Sequence, residues 1–318
     1  MKTNGKRKIV LLGVLAVLVS IYCIQVVVAG KNEVRIVSVK DEPDSIVIHS
    51  GNGTEVRLDK DGDAWVVGGE KYPASASAVQ ELCENIQSIK LLGTAARSAG
   101  DEEERYGLDA GNRIAVTAYK DGKEIQSLLI GKDTSTNRQC FVQLKTGSSV
   151  YLADGGLHSA FAVTVDDLRS KEVYSFDGSE ISAVTLAKCN QGDWKSFTLK
   201  RSEAEETEEG LVTKKNWLLD GENTGTLDDD KVSSWVRMLS VLNASEWLDD
   251  GFSIAEENSD FSMTIFAKDK TVKLRGYEKD DETYLWCSEV PYCFKVASYV
   301  GTRFTKTLSD FSKDVEVD

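Results

Sequence analysis

Histidine, proline and methionine are the scarcest residues of this 318-residue chain, which holds two of the first and three each of the others. So few prolines exclude a Pro-rich stalk or low-complexity linker. His49 and His158 supply little for metal or general-base chemistry, and no HExxH helix, GxSxG elbow or GxxxxGK[ST] loop occurs. The six cysteines form no CxxC pair, so neither a zinc knuckle nor a thioredoxin-like motif is supported. Positive charge is also short: 38 Lys and Arg stand against 52 Asp and Glu, a net −14. That balance opposes binding to nucleic acid or to an anionic membrane surface.

What the chain does have comes first in the sequence. Ile9 to Ala29 carries no charge, and Ser20 and Gln25 are its clearly polar residues. A helix of about 20 residues rises about 30 Å, the thickness of the hydrocarbon layer, and satisfies its own backbone groups there. Lys2, Lys6, Arg7 and Lys8 precede the run, and basic flanks stay cytoplasmic. The expectation is a basic cytoplasmic tail at 1–8, a transmembrane helix at 9–29 embedded in the lipid bilayer, and an extracytoplasmic remainder. A signal peptide cleaved after Ala29 is the competing reading, and the length of the run favours the anchor. Cys23 lies deep in the run behind Tyr22, a poor residue before a lipidated cysteine. With the four basic residues of the tail set aside, 34 Lys and Arg face 52 Asp and Glu, so the exported part carries −18. Five cysteines follow the run; Cys287 and Cys293 either pair across a hairpin or stay as free thiols.

The remainder repeats itself. Val79, Leu82, Cys83, Ile86 and Ile89 form the apolar stripe of an amphipathic helix, and Val232, Trp235, Val236, Leu239 and Leu242 repeat it at an offset of 153. Each stripe follows a short strand with a tryptophan, Trp65 or Trp217. Downstream, Ile114–Tyr119 leads into Lys120-Asp121-Gly122, as Phe261–Phe266 leads towards Lys268-Asp269-Lys270, both with hairpin patterning. Strands at 124–130, 140–144 and 149–152 are answered at 271–277, 284–287 and 292–296. The fold class expected is α+β: two tandem copies of a mainly antiparallel sheet with one amphipathic helix each. A linker or first strand at 30–44 precedes copies at 45–175 and 176–318. The acidic stretch Ser202–Glu209 reads as a solvated hairpin tip of the second copy.

The strand with Trp65, then Lys71-Tyr72-Pro73 and the helix, Tyr106-Gly107-Leu108-Asp109, Ile130-Gly131-Lys132 and Val150-Tyr151-Leu152 resemble, in this order, a domain-of-unknown-function family, DUF4340. The resemblance runs from about Ser45 to Phe311 in two copies. In the second, Asp250-Gly251-Phe252 stands roughly where Tyr-Gly-Leu is expected, which leaves that loop's geometry open. Members of the family are typically anchored proteins encoded beside ABC-transporter ATPase and permease subunits, including those of the gliding-motility type. The resemblance therefore implies a non-enzymatic accessory component of an export or surface-assembly system, with transporter subunits as partners. It brings no catalytic residues and no cofactor.

Residues that invite chemistry have simpler readings. Asp59, Asp61, Asp63 and Glu70 fall at positions one, three, five and twelve of a calcium loop, the oxygen-rich spacing a hard cation needs. Position six is Ala64 where glycine is required, and an Asp61-Gly62 hairpin turn explains the same residues. Asp228-Asp229-Asp230 opens the second helix, where carboxylates cap free N–H groups. His158, behind Gly155-Gly156, reads as a surface or capping residue, and His49 as a solvent-facing strand residue. Trp194, Trp247 and Trp286 lie outside the apolar patterns and leave room for a second function, an extracytoplasmic binding module for a wall glycan or divalent cation.

Overall fold

The structure, a computed structural model, describes residues 12–23, 34–135, 138–190, 192–202, 216–222, 226–249 and 251–313. The chain divides into two compact units, Met1–Ser170 and Lys171–Asp318. The boundary expected after residue 175 thus falls five residues late, because Glu172–Ser175 pairs with Val241–Asn243 inside the second unit. Each unit is mainly antiparallel sheet with short helices, an α+β architecture.

The transmembrane helix expected at 9–29 is described in part. A helix, α1, covers residues 12–23, and its side chains are exposed. Twelve residues rise about 18 Å, and no helix among the described residues is long and apolar enough to cross a membrane. The rest of 9–29 lies outside the described residues, as does nearly all of the acidic stretch after Ser202.

In the first unit the strands are β1 (Arg35–Ser38), β2 (Ser45–Ser50), β3 (Glu55–Asp61), β4 (Ala64–Val67), β5 (Tyr72–Pro73), β6 (Ser88–Ala96), β7 (Ile114–Lys120), β8 (Lys123–Asp133), β9 (Gln139–Leu144) and β10 (Val150–Asp154). They lie in the order β1-β6-β10-β9-β8-β7-β2-β3-β4-β5. Period-two burial along β7 and β9 puts alternate residues into the core. Over that core lies α2 (Ala76–Gln87), capped by Ser75 and burying Val79, Leu82, Cys83 and Ile86. The fifth apolar residue of its stripe, Ile89, belongs to β6 rather than to the helix, because Ser88 is already extended. Helix face and strand face line one core, so the apolar spacing runs on through the change of structure. Short helices α3 (Glu103–Tyr106), α4 (Leu157–Phe161) and α5 (Val165–Leu168) complete the unit.

The second unit repeats this plan with β11 (Glu172–Ser175), β12 (Ile181–Asn190), β13 (Asp193–Arg201), β14 (Trp217–Leu219), β15 (Val241–Asn243), β16 (Glu246–Trp247), β17 (Phe261–Ala267), β18 (Lys270–Lys279), β19 (Glu282–Cys287) and β20 (Cys293–Val296), and helices α6 (Asp229–Met238) and α7 (Ser298–Gly301). Its main sheet runs β14-β13-β12-β17-β18-β19-β20-β16, and β11 pairs with β15. Strand for strand this is the first sheet again, with two differences among the described residues: continuous β6 becomes two pieces, β15 and β16, broken at Ala244-Ser245, and β5 has no counterpart strand beside β14. Asp228 caps α6, accepting from the N–H groups of Asp230 and Lys231 at 3.0 and 3.1 Å. Trp217 is buried in the core, its indole N–H donating to Ser233 Oγ at 3.0 Å, whereas Trp65 packs half-buried at the core's margin.

Both units end in the same device. Thr164 and Asp167 cap α5 reciprocally, and Thr307 and Asp310 do so for a 3-10 turn at Leu308–Phe311. The buried last residue of each turn offers its carbonyl to the residue that caps the main helix: Ser75 N–H donates to Leu168 O and Asp228 N–H to Phe311 O, both at 2.8 Å. One strand-like bridge, Ala74 with Arg169 or Leu227 with Ser312, continues each clasp. Phe311 also meets the ring of Trp235 on α6 at 4.8 Å. Phe311→Ala is expected to cost about 3–5 kcal/mol, the usual range for a buried aromatic truncation. Denaturant unfolding followed through tryptophan fluorescence measures it, and an unmoved midpoint contradicts the clasp.

Candidate functional site

Two fragments far apart in the sequence, Tyr106-Gly107-Leu108 and Ile130-Gly131-Lys132, are one place in the first unit. Gly107 ends α3 in the left-handed region (φ 65°), its N–H turned back to the carbonyls of Glu103 and Glu104. Added there, a Cβ would lie 2.7 Å from Lys132 N, and one on Gly131 would collide with the Tyr106 carbonyl oxygen. The two backbones are therefore pressed together where only glycine fits. On either side, Tyr106 and Leu108 are buried with Ala99 and Val150, and the Tyr106 ring meets Phe141 edge-on at 5.1 Å. These residues fasten a loop to the sheet.

Among the described residues the second unit shows no such lock. Asp250 lies outside the described residues, a Cβ on Gly251 would meet nothing, and Phe252 is exposed. Its loop is held by Arg275 instead, which donates from Nε to Ile254 O at 2.8 Å and lies over the Trp286 ring at 3.9 Å.

Beside the lock, β8, β9 and α4 bring Asp133, Cys140 and His158 together. Asp133 stands opposite Cys140 in the strand pairing, and His158 Nδ1 lies 3.6 Å from Asp133 Oδ2. Cys140 is fully buried, and that burial pushes its thiol up to about 12, against the opposing pull of the His158 backbone N–H. At neutral pH it is a protonated thiol, not the thiolate that nucleophilic chemistry requires. The His158 side chain faces the Asp133 carboxylate.

The calcium-spaced residues are not gathered into a cage. Asp59 is held by the Arg57 guanidinium through bonds of 2.7 and 3.0 Å, and this hydrogen bonding lowers the carboxyl below its ordinary value. Asp61 closes the β3–β4 hairpin opposite Ala64 with Gly62 at φ 62° between them, while Asp63 and Glu70 are exposed. Among the described residues no group of three or more His, Cys, Asp or Glu could hold a metal ion. His49 is exposed and faces Glu55 at 3.3 Å. Of the uncommitted tryptophans, Trp194 is exposed, Trp247 packs on Phe294 at 5.6 Å, and Trp286 carries Arg275.

Cys287 and Cys293 are free and buried. Trp286, not Cys287, stands opposite Cys293, so the two thiols point to opposite faces of the sheet and cannot bridge. The closing turns are the feature that the helix and strand patterns do not reveal. Their signal is a repeated Thr-x-x-Asp ending in a large apolar residue, Thr164–Leu168 and Thr307–Phe311.

Taken together, the chain is an α+β protein of two similar units, the first of which fastens a loop to its sheet through the glycine contact. Over residues 65–261, well over half of its length, it matches the family model described as domain of unknown function (DUF4340), and it belongs to that family. No curated protein and no solved structure matches it. The family's Tyr-Gly-Leu and Ile-Gly-Lys elements are here the two sides of the glycine contact. Gly131→Ala is accordingly expected to destabilise the first unit by about 1–3 kcal/mol through overpacking. Gly69→Ala, where an added Cβ meets nothing, serves as the neutral control in the same thermal melts.

Proposed function

We propose that this protein is a non-enzymatic accessory component of an ABC-type export or surface-assembly system, held in the membrane by residues 9–29 with its two units on the extracytoplasmic side. The observation that carries the reading is the uncharged run Ile9–Ala29 behind Lys2, Lys6, Arg7 and Lys8. Membership of the family supports the transporter link, through the association that the resemblance implies. The duplicated sheets offer a partner two copies of one scaffold. Cys140, buried on β9 against the backbone of α4, and Asp59, held by Arg57, are engaged within the fold. Binding of a wall glycan or a divalent cation has less behind it, resting on exposed Trp194 and on surface acids.

Protease added to intact, wall-stripped cells is expected to degrade both units, and purification in mild detergent to recover an ATPase and a permease. Protection of the whole chain in intact cells overturns the topology, and recovery of the protein alone overturns the association. Millimolar calcium is expected to leave the melting temperature unchanged; a clear rise would favour the cation reading instead.

A further inference from the structure

The two units share a plan but not a surface, and the place where they part is the hairpin β12–β13. Leu186 opposite Phe197 corresponds to Ile48 opposite Val56, since Leu186 pairs with Met263 on β17 as Ile48 pairs with Val116 on β7. The first hairpin closes at once, with His49 opposite Glu55. The second runs on through Lys188 opposite Lys195 to Asn190 opposite Asp193. By period-two alternation Lys188 and Lys195 continue the face of Leu186 and Phe197, beyond the edge of the core.

Below that overhang lies the closing turn. In the first unit the equivalent Val163 and Val165 are packed against the core, and the Gly68 backbone lies against Val165. In the second, Leu308 is 37% exposed. Between hairpin and turn opens a cavity of about 610 Å³, inside the roughly 300–1,000 Å³ range of small-molecule sites. Leu186, Phe197 and Leu308 give it an apolar floor, and Lys188, Lys195 and Lys306 surround that floor. Like charges directly opposite across two strands are destabilising, so the Lys188–Lys195 pair does nothing for the sheet. Neither lysine has an ion pair among the described residues, while Lys306 reaches Asp310 at 3.4 Å. Three ammonium groups over an apolar floor, in a chain of net charge −14, match a ligand that is anionic at one end and apolar along its length.

We propose that this groove binds a single-chain amphiphile with an anionic head, its alkyl chain on Leu186, Phe197 and Leu308 and its head among Lys188, Lys195 and Lys306. The floor distinguishes such a ligand from an inorganic anion, and the lysines distinguish it from a neutral alkane. A groove of about 610 Å³ is sized for a small amphiphile rather than an extended acidic peptide. The inference concerns the second unit alone and does not rest on the anchored reading above.

The test is photolabelling of the full chain with a diazirine-bearing dodecanoate, in buffer when the chain purifies from the aqueous fraction and in discs of zwitterionic lipid when it purifies from membranes, with mapping by mass spectrometry. Crosslinks are expected in the segments 186–197 and 306–308. Plain dodecanoate should compete and acetate should not, the matching dodecanol probe should label weakly, and raised salt should reduce labelling. K188E/K195E should cut labelling at least about tenfold, with K188Q/K195Q falling between. Equal labelling by the alcohol, competition by acetate, crosslinks scattered over the surface, or displacement at lower concentration by a Glu- and Leu-containing peptide would each overturn the proposal. Should the charge-reversed variant fail to fold, salt-independent labelling of the unaltered chain refutes it as decisively.

Discussion

Each unit is held shut by a clasp of two short backbone hydrogen bonds. One runs from the residue that caps the main helix to the carbonyl at the end of the closing turn, and one returns from just beyond that turn, Ser170 N–H to Pro73 O or Lys313 N–H to Thr226 O. A helix start leaves several N–H groups without intrahelical partners, and a cap side chain satisfies only part of that demand. By bringing the last turn of the unit to the first turn of the helix, the fold ties together segments more than 80 residues apart. The core beneath, from Val79 to Leu168 in the first unit and from Val232 to Phe311 in the second, is sealed by that contact. The helices lie where they do because both of their neighbours, sheet and turn, hold the same N-terminus.

Duplication kept this frame and released its ornaments. Strand β6 runs unbroken between β1 and β10, whereas its counterpart breaks into β15 and β16 and so serves β11 and β20 separately. The glycine contact that fastens a loop in the first unit is replaced in the second by Arg275, reaching the Ile254 carbonyl and covering Trp286. Both solutions secure the same stretch of chain, one by close backbone approach and the other by a charged side chain. Such exchange is open to loops and sheet margins, while the interdigitated interior tolerates much less.

The periodic parts of this architecture were legible in the sequence. The stripes Val79–Ile86 and Val232–Val236 lie on helices, and the meanders from Ile114 and from Phe261 form strands close to the expected limits. What escaped has physical causes. Ile89 and Leu242 continue the helical spacing yet lie on strands, because apolar spacing reports the direction of the core and not the backbone's conformation. The boundary at Ser170 was hidden since β11 is paired by a strand some 70 residues later, a long-range event without local signal. The Tyr-Gly-Leu and Ile-Gly-Lys fragments were visible as separate pieces, but that they touch is a property of the folded chain. At the calcium spacing the strand adds a partner that the spacing alone does not show: Arg57, two residues before Asp59 on the same strand face, takes that carboxylate.

The position of the closing turns has a consequence for the order in which the chain can mature. Domains generally fold from the N-terminus as synthesis proceeds. Neither unit here can seal its helix until its final residues, around Leu168 or around Phe311, have emerged. A nascent chain that ends between the two turns therefore carries one finished unit and one held open. The first unit's closing bonds lie wholly within residues 73–170, so that body can shut as soon as residue 170 has cleared the ribosome, while the rest of the chain is still being made.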